Sequence, residues 1–120
     1  MLCVDVIEHV VDPAWLLERL SGVLAPGGRL LLSTPDRSRL DDRDPLGPPT
    51  NPRHIREWTE DEMRLLAEAA GFEVLRSRHL LPRSYSPTLL DLKRVAYRLL
   101  HGMAVPDRRS CMALLLRVRQ

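Results

Sequence analysis

The alternation of short apolar runs with amphipathic segments constrains the fold of this chain most. Residues 2–7, LCVDVI, form an apolar run rich in β-branched side chains, which predicts a buried strand interrupted by one acid. Residues 29–34, RLLLST, predict a second strand. Between them, Asp12 is placed to cap a helix, and apolar residues recur at helical spacing from Pro13 to Leu24. A strand, helix and strand in this order favour parallel pairing.

The rest of the chain continues the alternation. Thr59 and Glu62 have the spacing of a capping box at the start of a second helix. A strand over 72–81, a helix over 87–100 and a terminal strand over 111–118 follow from the same patterns. We therefore predict an α/β fold in which helices cover both faces of the sheet.

Length and composition restrict the classes of protein. With 120 residues, 44% of them hydrophobic, the chain predicts one small domain. No run approaches the roughly 18 apolar residues that a membrane span needs, and no secretory leader is recognisable, so a cytoplasmic protein is the default prediction. Cys3 and Cys111 lie in apolar runs, which favours two buried thiols over a disulfide.

Positive charge is concentrated near the end of the chain. Residues 76–120 contain ten Lys and Arg against two Asp. Such an excess attracts phosphates, nucleic acid or an acidic membrane surface, although a solvated basic face is the simpler interpretation. Aromatic residues make up only 4% of the chain, so no stacking platform for bases is predicted and nucleic acid is not an expected partner.

Candidate site residues follow the first two strands, because ligands of α/β sheets bind beyond the carboxyl ends of strands. These are residues 5–9, DVIEH, and 33–37, STPDR. A loop predicted over 35–53 contains five of the ten prolines, and it is interpreted either as a mobile functional segment or as plain disorder. His54 follows it and is the candidate general base, since imidazole titrates near neutral pH; alternatively, it only anchors the loop. His79 and His101 are predicted to be surface residues.

Two long segments carry a resemblance: DVIEHVVDPAWLLERLSGVLAPGGRLLLSTPDR and NPRHIREWTEDEMRLLAEAAGFEV. They resemble the carboxyl-terminal half of class I S-adenosylmethionine-dependent methyltransferases, in particular the subgroup of ubiquinone-biosynthesis O-methyltransferases. The resemblance is close over residues 1–75 and holds by layout beyond them. It implies a partial Rossmann-like sheet in which the strands correspond to the family's strands 4-5-7-6, with the last strand antiparallel.

The resemblance also implies ligands and roles. Val4, Asp5 and Val6 would lie beside the methionine end of S-adenosylmethionine, with a small molecule as the methyl acceptor. The pattern D-x-x-E-H is similar to an apparent metal site of the ubiquinone-type enzymes, so Asp5, Glu8 and His9 would hold magnesium, manganese or zinc. The alternative is that Glu8 and His9 hold the turn by hydrogen bonds.

The chain departs from the family in one respect: none of its six glycines forms a G-x-G. We therefore expect a partial domain over 1–120, without the glycine-rich half and its helices, whose apolar first strand is an open edge. A helical insertion and linker are expected over 82–110. Two functions remain: methyl transfer, for which the chain alone is expected to be inactive because the glycine-rich cofactor loop is missing, or a non-catalytic module that dimerises or binds a partner through the open edge and the basic C-terminal region.

Overall fold

The computed structural model describes residues 1–40, 47–49, 51–81, 89–102 and 109–119. The predicted order of strands and helices is confirmed there, with ends that differ by a few residues. Parts of the predicted loop (41–46 and 50) and of the predicted insertion (82–88 and 103–108) lie outside the described residues. The elements are β1 (Leu2–Val4), α1 (Pro13–Val23), β2 (Arg29–Pro35), α2 (Glu60–Ala69), β3 (Phe72–Leu80), α3 (Leu89–Leu100) and β4 (Cys111–Val118).

The four strands form one mixed sheet in the order β1-β2-β4-β3. β1 is parallel to β2, whereas β4 runs antiparallel to both of its neighbours, β2 and β3. This is the order that the resemblance implied for strands 4-5-7-6. β1 lies at one edge of the sheet, so the predicted open edge is present among these strands.

β1 is shorter than predicted, because the chain turns at Asp5. This residue has a φ of 52°, in the left-handed region that Asp tolerates better than β-branched residues do. Its backbone N–H still donates to the carbonyl of Ser33 at 3.1 Å. A 3-10 turn over Ile7–His9 follows. The predicted strand over 2–7 was therefore wrong at its end, and residues 5–9 instead fold across the carboxyl edge of the sheet.

Both predicted helix starts are confirmed. The Asp12 carboxylate accepts a hydrogen bond from the backbone N–H of Trp15 at 2.9 Å. At α2, the Thr59 hydroxyl accepts from the N–H of Glu62, and the Glu62 carboxylate accepts from the N–H of Thr59. These caps satisfy donors that the first turn of a helix would otherwise leave unpaired.

The core lies on one face of the sheet. Alternate residues of β2 and β4 are buried there with Leu17 of α1 and Met63 of α2, so both helices cover the same face. On the opposite face, Leu2 of β1 and Leu31 of β2 are 72% and 37% exposed. We predicted that helices cover both faces of the sheet. Among the described residues, α1 and α2 cover one face, and side chains on the other face are partly exposed to solvent. None of the described helices is long and apolar enough to cross a membrane.

Candidate functional site

The segment 51–57 is hydrogen-bonded to the turn that follows β1. The backbone N–H groups of Ile55 and Arg56 donate to the carbonyl of Glu8, at 2.7 and 3.4 Å. The Nδ1–H of His9 donates to the carbonyl of Arg53 at 2.7 Å. These bonds bring His54, which is distant in sequence, beside the Glu8-His9 pair at the carboxyl ends of β1 and β2.

His54 is held at both ring nitrogens. Its Nδ1 lies 2.5 Å from the carboxylate of Glu57, whose side chain is 2% exposed, and its Nε2 lies 2.9 Å from the side-chain nitrogen of Asn51. A carboxylate only accepts hydrogen bonds, so Nδ1 carries the proton and Nε2 presents a lone pair to the Asn51 amide. The ring packs edge-on against His9, with centroids 5.0 Å apart.

Glu8 is a buried acid, only 1% exposed. The hydroxyl of Thr34 donates to its Oε2 at 3.1 Å, and no Lys or Arg among the described residues forms an ion pair with it. Burial raises the pKa of this carboxyl, and the nearby charge of Asp5 adds to the increase. We call Glu8, His9, His54 and Glu57 the site cluster.

The predicted cofactor residues lie beside the site cluster and are open to solvent. Val4 and Val6 are 45% and 42% exposed, and the Ser33 hydroxyl approaches the Asp5 carboxylate at 3.5 Å. Cys111, at the start of β4, belongs to the same end of the sheet: burial raises the pKa of its thiol, as do the charges of Asp5 and Glu8. Cys3 and Cys111 are both free thiols, as predicted; Cys3 is buried, whereas Cys111 is half-buried, so the prediction of burial was wrong for Cys111.

Three side chains of the site cluster could hold a metal ion. One ligand atom from each of Glu8, His9 and His54 lies within 4.8 Å of the others. A carboxylate and two imidazoles are a common ligand set for a divalent ion, so the residues fit such a group. The set predicted from the sequence was Asp5, Glu8 and His9; in the structure, His54 joins the last two, whereas Asp5 is not part of the group.

A second cluster of acids and histidine lies at the end of β2. His79 approaches the carboxylate of Asp36 at 2.7 Å and that of Glu60 at 3.6 Å, and both the N–H and the hydroxyl of Ser38 donate to Asp36. Asp36 is 1% exposed. We call Asp36, Ser38, Glu60 and His79 the anchor cluster, because it joins β2, β3 and the start of α2.

The prediction that His79 is a surface residue was therefore wrong, since its side chain is only 15% exposed. His101 is exposed, as predicted, and packs against Tyr97 with ring centroids 4.3 Å apart. The sequence interpretation gave Glu57 and Asp36 no role of their own. The spacing of three between His54 and Glu57 is a signal that could have indicated their contact, whereas no sequence signal joins Asp36 to His79.

A comparison with family models identifies the domain that contains these residues. The family model described as "Methyltransferase domain" matches residues 1–77, which include β1, β2, α2 and both clusters except His79. The chain belongs to this methyltransferase domain family.

Among curated proteins, a probable S-adenosylmethionine-dependent methyltransferase of Mycolicibacterium smegmatis is 46% identical over 71 residues. The match covers 58% of this chain and 26% of that protein. A ubiquinone biosynthesis O-methyltransferase of Xylella fastidiosa is 44% identical over 36 residues, which are 30% of this chain and 15% of that protein. The matches thus span about a quarter of the first relative's length or less.

Among solved structures, the complex between the Haloferax volcanii Trm112 methyltransferase activator and a putative methyltransferase contains a similar fold. The TM-score is 0.67 at 12% identity, with 99% of this chain and 53% of that chain covered. At this identity the likeness concerns the fold alone, and it confirms the α/β sheet of the methyltransferase type.

Proposed function

We propose that this chain takes part in methyl transfer from S-adenosylmethionine to a small molecule. The observation that carries the proposal is the convergence of Asp5, Glu8, His9 and His54 at the carboxyl ends of β1 and β2 within a methyltransferase domain. Ligands of α/β sheets bind at such an edge. The curated relative from Mycolicibacterium smegmatis supports the choice of cofactor by its name.

In this proposal, Val4, Asp5 and Val6 contact the methionine end of the cofactor. Their exposure leaves backbone and side chains accessible, and the carboxylate of Asp5 would attract the positively charged sulfonium. The left-handed backbone at Asp5 turns this segment across the sheet edge, where an in-line approach between cofactor and acceptor needs fixed positions.

His54 is proposed as the general base that takes the proton of a hydroxyl acceptor. Its Nδ1–H donates to Glu57, which fixes the ring and leaves the Nε2 lone pair to accept. In the structure this lone pair faces the Asn51 amide at 2.9 Å, so an acceptor hydroxyl would replace that hydrogen bond. Glu57 is then a positioning residue, and its buried carboxylate stabilises the imidazolium that forms.

We further propose that the 120 residues correspond to the carboxyl-terminal half of a methyltransferase and that they hold the cofactor weakly on their own. The sequence contains no G-x-G, the turn on which such sheets commonly seat a nucleotide cofactor. Reading the coding sequence upstream of Met1 in the same frame tests this proposal, since an encoded strand, G-x-G turn and helix is the expected finding.

The catalytic assay uses labelled S-adenosylmethionine at saturating concentration and a panel of phenol, quinol and sugar acceptors. His54→Gln is expected to slow transfer by about 100-fold, the lower range for a general base, while the exposed control His101→Gln leaves the rate unchanged. Equal rates in all three proteins would remove His54 from the mechanism. If an in-frame extension is found, the extended chain is assayed in the same way.

A second candidate is a non-catalytic module that dimerises or binds a partner through the β1 edge and its basic region. The exposed apolar Leu2 on an edge strand favours it, since unpaired strand edges recruit other chains. The similar fold in complex with an activator is consistent with a partner protein. Sedimentation equilibrium tests self-association: Leu2→Lys is expected to convert a dimer into a monomer, and a monomeric unaltered chain would contradict it.

A further inference from the structure

We infer that Glu8, His9 and His54 form a binding site for a divalent cation of the zinc type. The three ligand atoms already lie within 4.8 Å of one another. They come from two segments, the turn after β1 and the segment 51–57, which backbone hydrogen bonds hold together. This inference is independent of the proposed methyl transfer, because the chain can bind an ion without carrying out that reaction.

The burial of Glu8 is the first argument for a cation. The side chain is 1% exposed; within the described ranges it accepts hydrogen bonds from the Thr34 hydroxyl and from its own backbone N–H, and no Lys or Arg pairs with it. An ionised carboxylate that is removed from water without a cationic partner is unfavourable. A divalent ion between this carboxylate and the two imidazoles would supply the missing positive charge.

The hydrogen bonds of the two imidazoles are the second argument. His9 donates its Nδ1–H to the carbonyl of Arg53, so its Nε2 keeps the lone pair that a metal requires. His54 contacts Glu57 through Nδ1 and Asn51 through Nε2. If Nε2 binds the ion in place of the Asn51 amide, the Nδ1–H keeps its hydrogen bond to Glu57, which is the arrangement that orients metal-binding histidines.

The ligand types select the ion. One carboxylate and two imidazoles favour zinc and similar transition metals over magnesium, which prefers oxygen ligands. The set implied by the resemblance contains two carboxylates, those of Asp5 and Glu8, and suits a harder ion. The two sets therefore differ in one residue, Asp5 or His54, and in the expected metal.

Ion binding and proton acceptance at His54 exclude each other. An ion on this imidazole displaces the Asn51 amide and uses the Nε2 lone pair, the same lone pair that would accept the proton. The zinc-loaded chain is therefore not the form that we propose to take the proton of the acceptor.

Titration of the full chain with zinc tests the inference. Calorimetry measures the stoichiometry and affinity, and the imidazole ¹⁵N resonances of the four histidines show which of them bind the ion. We expect one zinc ion per chain, with shifts at His9 and His54 and none at His79 or His101. His9→Ala and His54→Ala are each expected to lower zinc affinity by at least about tenfold, a loss that even outer-shell changes cause. Asp5→Asn should retain the affinity, and magnesium should give no heat.

Three results would overturn the inference: no zinc binding, unchanged affinity in His54→Ala, or loss of affinity in Asp5→Asn, which would select the set implied by the resemblance. Circular dichroism of each variant shows whether it is folded. If His54→Ala does not fold, the resonances of the unaltered chain decide, because unshifted His54 signals at saturating zinc contradict the site. Since none of these readouts requires methyl transfer, failure of the proposed function leaves them valid.

Discussion

The site cluster and the anchor cluster contain the same pair of groups, a histidine against a buried carboxylate, but in different electrostatic settings. In the site cluster, His54 pairs with Glu57, and the neighbouring Glu8 is buried with no Lys or Arg partner among the described residues. In the anchor cluster, Asp36 accepts hydrogen bonds from Ser38 and lies against His79. Burial therefore dominates at Glu8, whereas Asp36 has two donors from Ser38 and the imidazole of His79 around it.

The pKa values of one acid in each cluster are shifted in opposite directions. Burial raises the pKa of Glu8. A hydrogen bond from Ser77 lowers the pKa of Glu60 in the anchor cluster, and Arg64 contributes to the same direction. A buried acid whose pKa is raised, at the edge where such sheets bind ligands, is a candidate functional group, whereas an acid stabilised by hydrogen bonds is typical of a structural contact. The contrast therefore supports a ligand-binding role for the first cluster and a stabilising role for the second.

The largest expected effect is on stability and comes from the anchor cluster. Asp36→Ala removes the acceptor for Ser38 and the partner of His79, and we expect the free energy of unfolding to fall by about 3 kcal/mol, as when a buried pair loses one member. Urea unfolding measures it. The exposed Asp61 is the matched control, and Asp61→Ala should cost less than about 0.5 kcal/mol. Equal losses would show that Asp36 is not an anchor.

A smaller effect is expected at the start of α2, the helix that carries Glu60 to the anchor cluster. Thr59→Ala removes the hydroxyl of the capping box, so the free energy of unfolding should fall by about 1 kcal/mol. Ser21→Ala is a suitable comparison, because its hydroxyl donates to the Glu18 carbonyl within α1 and caps no helix start. A loss in Ser21→Ala as large as in Thr59→Ala would contradict the capping role.

The smallest expected effects depend on pH and have opposite signs in the two clusters. Because the folded pKa of Glu8 is raised, its contribution to stability is greatest below the ordinary Glu value of 4.5 and is lost as pH rises through the folded pKa. Glu8→Gln should therefore stabilise the chain at pH 7, with a gain that shrinks in acid. Urea unfolding at pH 4 and pH 7 measures this gain, and destabilisation at pH 7 would contradict it.

Glu60 should behave in the opposite way. Its folded pKa is lowered, so its contribution to stability is present above the ordinary value of 4.5 and is lost as pH falls through the folded pKa. Glu60→Gln is therefore expected to destabilise the chain at pH 7 by less than about 1 kcal/mol, since the group is partly exposed and screened. The same titration series checks it, and a loss that persists unchanged in acid would refute the electrostatic explanation.

Local sequence patterns predicted most of the fold. The caps at Asp12 and Thr59, the strand over 111–118 and the strand order required only neighbouring residues or the resemblance. The early end of β1 was not predicted, because LCVDVI is apolar throughout except for Asp5, and the left-handed backbone there depends on the turn that follows. The predicted strand, based on the length of the apolar run, was therefore too long.

The site was predictable in part. Its location after β1 follows from sheet topology, but the contact of His54 with Glu8 and His9 joins segments more than 40 residues apart in sequence and depends on how 51–57 docks. His79 was misplaced for the same reason: alternation along a strand tells which face a side chain occupies, but not that Asp36 of another segment will cover it.

The most direct test of the central claim, that the carboxyl edge of β1 and β2 binds S-adenosylmethionine, is a ¹H-¹⁵N chemical-shift titration of the chain with S-adenosylhomocysteine. This measurement detects binding with a Kd as high as about 1 mM. We predict saturable shifts at the backbone amides of Val4, Asp5, Val6 and Ser33, with the amides of Glu60 and His79 in the anchor cluster unchanged. Shifts confined to β3 or to the opposite end of the sheet, or no saturable shift, would contradict the assignment.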